Sequence, residues 1–352
     1  MKRVILSLSL PLLLFQCSMA CTAFCLCSEQ RALLGKNLDW PVEDGFILVN
    51  RPGVRKASFS LTDQSIGWTS LYSSITFNQF GIEFPLGGMN EKGLVVEELN
   101  MPAVGATIHF SKLSLNEFQV VQYILDNFKS LEEIERGMAY FQMRPLLLSL
   151  HYLIMDRQGN SMIMEFDGDQ FVFYHSGETG IPVLSNNLYQ ESIRYLGMYK
   201  GFGGDLELRH RSGSNERFVS AASMLQGCKS KSPISRSFEI LDTVSQADTK
   251  WSIVYDATSL SIFFKFHNCP GIQQIKLKQV VALDPLATLG APVSDCSMIL
   301  SQSWKPVSPE ENGELIYRVA LALDNELDLD SGQALFHRMS NYGKQYIVRT
   351  QH

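Results

Sequence analysis

From Cys21 to Cys27 the larger residues Thr22, Phe24 and Leu26 alternate against Cys21, Ala23, Cys25 and Cys27. This period of two predicts a strand. The polar triplet Ser28-Glu29-Gln30 predicts a turn, and Arg31 to Asp39 the hairpin partner. Further strand-like runs cover 46–50 and 93–99. The period then changes: Leu115, Phe118, Val121, Ile124 and Leu125 fall at helical spacing and predict a helix over 114–128. Ser130 with Glu133 has the form of a capping box opening a second helix to Phe141. A meander is predicted at 148–155, 161–166 and 170–174, with a turn at Asp156-Arg157-Gln158-Gly159. Helices are predicted at 190–199, 215–226 and 235–245, strands at 251–255 and 261–267, and a helical tail at 314–323 and 332–342. Two sets of antiparallel strands separated by helical blocks predict an α+β fold, with stacked sheets and helices outside, in a single domain over residues 21–352.

The first twenty residues have the anatomy of a secretory leader: Lys2 and Arg3, an apolar run from Val4 to Phe15, then Ser18-Met19-Ala20 with small residues at the recognition positions. The reading is a signal peptide over 1–20 and an exported protein, periplasmic or secreted. Cutting after Ala20 makes Cys21 the first residue, so that one residue carries both a thiol and a free α-amine. A thiol with its own amine as base needs no separate histidine, which points to N-terminal-nucleophile catalysis. Other readings of the junction stay open here. The leader could be cut elsewhere, leaving Cys21 a small core residue, or Cys21 could be the lipid-anchored cysteine of a ligand-binding lipoprotein. Against the latter, Ser18 stands where a lipobox has leucine or a similar residue, and acylation blocks the amine.

Composition narrows the field. Losing Lys2 and Arg3 with the leader takes the net charge from −6 to −8, and no Lys/Arg run remains, so neither nucleic acid nor an anionic membrane is an expected partner. No apolar stretch after the leader has spanning length, so stable membrane insertion is not expected. There is no G-x-S-x-G elbow, H-E-x-x-H pair, Walker loop or G-x-G-x-x-G, and neither cofactor nor metal is expected. His151 and His175 lie in strand patterns and read as satisfied structural histidines. Cys25-Leu26-Cys27 lacks the second Cys/His pair of a metal clip and reads as core packing. If Cys21 is a free nucleophile, five cysteines remain after the leader, and an odd number cannot all pair.

Several motifs occur in an order that resembles the choloylglycine hydrolase and penicillin V acylase family of N-terminal-nucleophile amidases. They begin with Cys21-Thr22-Ala23-Phe24 and Gly35-Lys36-Asn37-Leu38-Asp39-Trp40, then Gly88-Met89-Asn90-Glu91-Lys92-Gly93-Leu94 running into Glu98-Leu99-Asn100. Later matches are His151 to Asp156, Gly159 and Glu165; Leu184-Ser185-Asn186-Asn187; Arg217-Phe218-Val219; and Trp251 to Asp256. The resemblance implies an αββα sandwich, hydrolysis of a linear carbon–nitrogen amide through a Cys21 thioester, a small N-acyl amide as substrate, and a homotetramer. It also implies roles. Asp39 would hold and orient the terminal amine by a charge-assisted hydrogen bond. Lys36 stands where the family usually has arginine, keeping a positive charge beside the thiolate but losing the planar fork. Arg217 would tie the hydrogen-bond network together. The Asn186 side chain and the backbone or side chain of Asn100 would stabilise the oxyanion, where each preorganised donor is worth roughly 3–4 kcal/mol. Bile salts, penicillin V and other N-acyl amides are all within the family's range, and Asn100 matches the bile-salt type. The Lys36 departure also leaves open a catalytically inactive binding protein on the same fold. The aromatic-rich segment from Trp68 to Phe80 is expected to line an apolar acyl pocket.

Overall fold

The structure, a computed structural model, describes residues 20–28, 30–61, 65–105, 112–209, 212–226, 232–282, 288–293, 295, 304–323 and 329–350, with backbone alone at 178–179, 329–332 and 345–350. The leader from Met1 to Met19 lies outside the described residues, as do Cys228 and Cys296.

The hairpin foreseen at the start of the mature chain is the heart of a six-stranded sheet. Thr22–Ser28 pairs antiparallel with Arg31–Asp39, Phe24 opposite Gly35. That glycine has a steric reason: a Cβ there would meet the Phe24 ring at 2.7 Å. Across the sheet the order is Val183–Leu184, Thr22–Ser28, Arg31–Asp39, Thr249–Asp256, Ser261–Phe266 and Cys269–Lys276. A nine-stranded antiparallel sheet lies over it, with Pro85–Asn90, Val95–Asn100 and Leu150–Met155 near its middle. Phe77 of one sheet packs on Trp251, Tyr255 and Phe264 of the other, with ring centroids 6.3, 6.1 and 5.8 Å apart. Burial of such rings supplies the main force holding the layers together.

Helices cover the outer faces. Glu117–Asn127 is capped by Asn116, whose side chain accepts from the Gln119 N–H, and it buries Phe118, Val121, Ile124 and Leu125 over Pro85–Asn90 and Val95–Asn100. Ser214–Leu225 and Pro233–Thr243 cover the six-stranded sheet. The architecture is the αββα sandwich.

Some boundaries differ from the sequence reading. Leu113–Leu115 is a strand, paired in parallel with Phe141–Met143, so the first helix starts three residues later than its apolar spacing suggests and the second ends before Phe141. Two-residue alternation within a helical-period stretch is hard to see when the strand is only three residues long. The capping box at Ser130 is half made: its hydroxyl accepts from the Glu133 N–H, while the Glu133 carboxylate takes the Lys129 N–H instead. Cys25 is buried, but Cys27 is exposed and its Sγ bonds the Gly159 carbonyl at 3.3 Å, so only the first of the pair is a core residue. Cys269 is disulfide-bonded.

Candidate active site

Five of the six anticipated residues cluster where the first hairpin meets Val95–Asn100 and the start of Ser214–Leu225, and the sixth, Asn186, joins them through hydrogen bonds. Cys21 is buried and shares a small cavity with Leu38, Trp40, Gln79, Phe80, Leu86, Glu98, Asn100, Leu148 and Leu150. The volume is about 10 Å3, room for a single water-sized group. Phe80 and Gln79 belong to this wall, but Trp68 does not: its Nε1 donates to Asp126 at 2.8 Å and its ring packs on Tyr123. The aromatic segment therefore lines the pocket only at its last two residues.

Arg217 organises the backbone around Cys21. Its guanidinium donates through Nε to Thr22 Oγ1 at 2.9 Å and through Nη2 to the Cys21 carbonyl at 3.2 Å and Asn186 Oδ1 at 2.8 Å, and through Nη1 to the Ser212 carbonyl at 2.6 Å. One planar group thus fixes three segments, a task matched to the fork of arginine. Asn186 in turn donates from Nδ2 to the Asn100 carbonyl at 2.8 Å, which engages one of its two amide hydrogens. The turn behind Asn186 is fixed by His151, whose ring joins Glu165 at 2.9 Å and the Ser185 carbonyl at 2.7 Å. His151 is a buried structural histidine.

The Asp39 backbone N–H donates to the Cys21 thiol. Its side chain accepts from the Thr249 hydroxyl through Oδ1, whereas Oδ2 is buried with no partner among the described residues. Burial pushes the Asp39 pKa up to about 7, against the pull of the Thr249 bond and the Arg217 charge. A cation placed at Oδ2 would reverse that shift.

Lys36 projects into the space between the sheets and is 2% exposed. Its Nζ lies 2.9 Å from Glu97 Oε2 and 3.6 Å from Glu98 Oε1. Burial alone favours the neutral amine, yet the two carboxylates outweigh it and hold the Lys36 pKa above its ordinary value. Glu97 also accepts from the Tyr255 hydroxyl. Its carboxyl fits because Gly87 faces it: a Cβ at Gly87 would sit 2.2 Å from the Glu97 carboxyl carbon. Glu98 has the longer contact with Lys36, and burial raises its pKa to about 7. Burial also pushes the Cys21 thiol up to about 12; Lys36 opposes this, and Asp39 and Glu98 add to it. The thiol's ionisation therefore rests on the balance between one ammonium and its neighbouring carboxyls.

Glu97, Glu98 and Glu117 are participants that the sequence reading missed. Glu117, buried at the start of its helix, accepts from the backbone N–H groups of Leu146, Leu147 and Leu148 at 2.7, 2.8 and 3.0 Å, and so fixes the loop that carries Leu148 into the cavity wall. Consecutive acids inside an otherwise apolar strand, Val95-Val96-Glu97-Glu98-Leu99, were the available signal for the pair beside Lys36. Among the described residues no group of three His, Cys, Asp or Glu could hold a metal ion, and no helix is long and apolar enough to cross a membrane.

The family model for linear amide C-N hydrolases of the choloylglycine hydrolase family matches residues 21–214, starting at Cys21 itself. The chain belongs to this family. It is similar to a penicillin V acylase of Pectobacterium atrosepticum, 24% identical over 313 residues that cover 75% of this chain and 82% of the relative. Among solved structures, a penicillin V acylase from Agrobacterium tumefaciens superimposes with a TM-score of 0.70 at 22% identity, covering 82% of this chain and 98% of that one. A mutant of a conjugated bile acid hydrolase from Clostridium perfringens gives 0.63 at 18% identity, over 74% and 93%. This choloylglycine hydrolase family member is accordingly a linear amide hydrolase of the N-terminal-nucleophile fold.

Proposed function

We propose that the protein is an exported amidase that cleaves an N-acyl amide through a thioester on Cys21, freed at the N-terminus by removal of residues 1–20. The observation that carries this reading is the buried Oδ2 of Asp39, without a partner among the described residues, on the residue whose own N–H bonds the Cys21 thiol. A carboxylate oxygen left open in a dry site needs a cation, and the α-ammonium released at Cys21 supplies one. An amine acylated by a lipid anchor would leave it unmet. The disulfide at Cys269 suits an oxidising compartment outside the cytoplasm.

The Cys21 thiol gives its proton to the terminal amine in its neutral form and the sulfur attacks the amide carbon. Asn186 and Asn100 receive the oxyanion, the amine returns the proton to the leaving nitrogen, and the C–N bond breaks to leave a Cys21 thioester. Water, deprotonated by the same amine, attacks that thioester; the C–S bond breaks, the amine returns the proton to the Cys21 sulfur, and the free acid is released. Lys36 stabilises the thiolate form. Penicillin V or a conjugated bile acid, the compounds for which the relatives are named, are the first substrates to try, and the assembly we propose is a homotetramer.

Intact mass of the exported protein, before and after brief exposure to an acyl amide, tests the proposal. The expected masses are those of residues 21–352 and of the same chain plus one acyl group on Cys21. Full turnover by a chain that keeps the leader would overturn it.

A further inference from the structure

Two of the residues that line the cavity beside Cys21 each carry a buried polar atom without a partner among the described residues. These atoms are Trp40 Nε1, a donor, and Gln79 Oε1, an acceptor. Trp40 is 5% exposed and Gln79 fully buried, and Gln79 is held in place by the bond from its Nε2 to the Val42 carbonyl at 2.7 Å. Of the other polar groups around the cavity, Glu98 is paired with Lys36 and the Asn100 carbonyl accepts from Asn186. The remaining lining is apolar: Leu38, Phe80, Leu86, Leu148 and Leu150.

A buried donor and a buried acceptor left open each cost free energy, so a site that keeps both is matched to something that meets both. The cavity they line holds one water-sized group. A hydroxyl is such a group: its oxygen accepts from an indole N–H while its hydrogen goes to an amide oxygen. A methylene satisfies neither. Resting on the amidase reading above, we propose that the preferred acyl group carries a hydroxyl close to the scissile carbonyl, seated between Trp40 Nε1 and Gln79 Oε1, so that hydroxylated acyl amides are selected over plain ones. The residues therefore set specificity and take no part in bond making. A water molecule can fill the same place, but a plain acyl chain reaching this wall displaces it without replacing its bonds.

The test measures binding separately from turnover. Calorimetry with the mature Cys21→Ala protein compares the 4-nitroanilide of octanoic acid with those of 2-, 3- and 4-hydroxyoctanoic acid. At least one hydroxylated compound should bind about ten-fold tighter than the plain one or better, the scale set by one to two unmet buried groups. Trp40→Phe, which keeps the ring and removes the N–H, should bring that ratio towards one, as should Gln79→Met. Equal or tighter binding of the octanoyl compound, no binding of any of the four, or a ratio that survives both substitutions would overturn the inference. Turnover by the unmodified enzyme is scored separately: binding selectivity without hydrolysis would count against the amidase reading and leave the hydroxyl subsite standing.

Discussion

Lys36 and Lys56 are built from the same parts and sit in different surroundings. Both ammonium groups are buried and each faces two carboxylates. Lys56 Nζ lies 2.9 Å from Glu83 and 3.0 Å from Asp126, and Asp126 also takes bonds from Trp68 Nε1 and Gln122 Nε2 at 2.8 and 2.9 Å. At Lys36 one contact is as short, at 2.9 Å to Glu97, but Glu98 stands off at 3.6 Å and the Cys21 thiol is the next neighbour. The first cluster ties Arg55–Ala57 and Gly67–Thr69 to the helix Glu117–Asn127. The second has a thiol beside its ammonium. What completes the surroundings of a buried lysine thus differs between the two, and residue type alone does not say which it will be.

The largest effect that bears on this contrast is at the thiol. If Lys36 serves a nucleophile, Cys21→Ser should fold but lose at least about 10^3-fold in kcat/KM, because a hydroxyl ionises far less readily with so weak a base. Cys25→Ser should affect stability and leave the rate per folded molecule intact. Retained activity in Cys21→Ser would remove the distinction between the clusters altogether.

Exchanging each lysine for methionine sharpens it. Either change strands two buried carboxylates and should lower unfolding free energy by about 3–5 kcal/mol in a urea titration. Only Lys36→Met should also move the pH profile of Cys21 alkylation upward, since it removes the cation that favours the thiolate. Identical profiles in wild type and Lys36→Met would make Lys36 a second clamp, and Arg217 would become the cation to examine.

A smaller effect separates Glu98 from Glu97. Burial raises the Glu98 pKa from 4.5 to about 7, so between those values the folded protein holds a proton that the unfolded chain has released. Its contribution to stability is greatest below pH 4.5 and is lost as pH rises through 7. In Glu98→Gln the fall in urea midpoint between pH 5 and pH 8 should shrink; an unchanged fall would show that Glu98 is ionised throughout.

The hairpin that carries Cys21 and Asp39 was legible from the two-residue period over Cys21–Cys27 and the polar turn after it, and the helix of Arg217 from its apolar spacing. The six site residues came from motif order, and the fold brought them together. What stayed hidden arises between distant segments. Nothing near Lys36 in the sequence shows that Glu97 and Glu98 cross from the opposite sheet to meet it, nor that Gly87 is small in order to admit a carboxyl. Trp68 read as a pocket aromatic, and its indole N–H was instead claimed by Asp126 fifty-eight residues away.

The smallest expected effect is that of Lys36→Arg, which introduces the arginine that the family resemblance implies at this place. Charge is conserved, so the Cys21 alkylation profile should stay within a few tenths of a pH unit and kcat/KM within about three-fold. Space is not conserved. The Lys36 side chain is fully enclosed and its Nζ already touches Glu97, so a longer, planar head must displace Glu97 or Glu98, at about 1–3 kcal/mol for an overfilled interior. A bidentate bond to one carboxylate offsets part of that cost by pulling the guanidinium towards Glu97 and away from Glu98. Stability should therefore fall while activity holds, the reverse of what a purely catalytic exchange gives. Removing Glu98 in the same chain tests the cause: Glu98→Ala should recover stability in the Lys36→Arg background and lower it in the wild type, and a loss of equal size in both would show that the arginine is accommodated without crowding its neighbours.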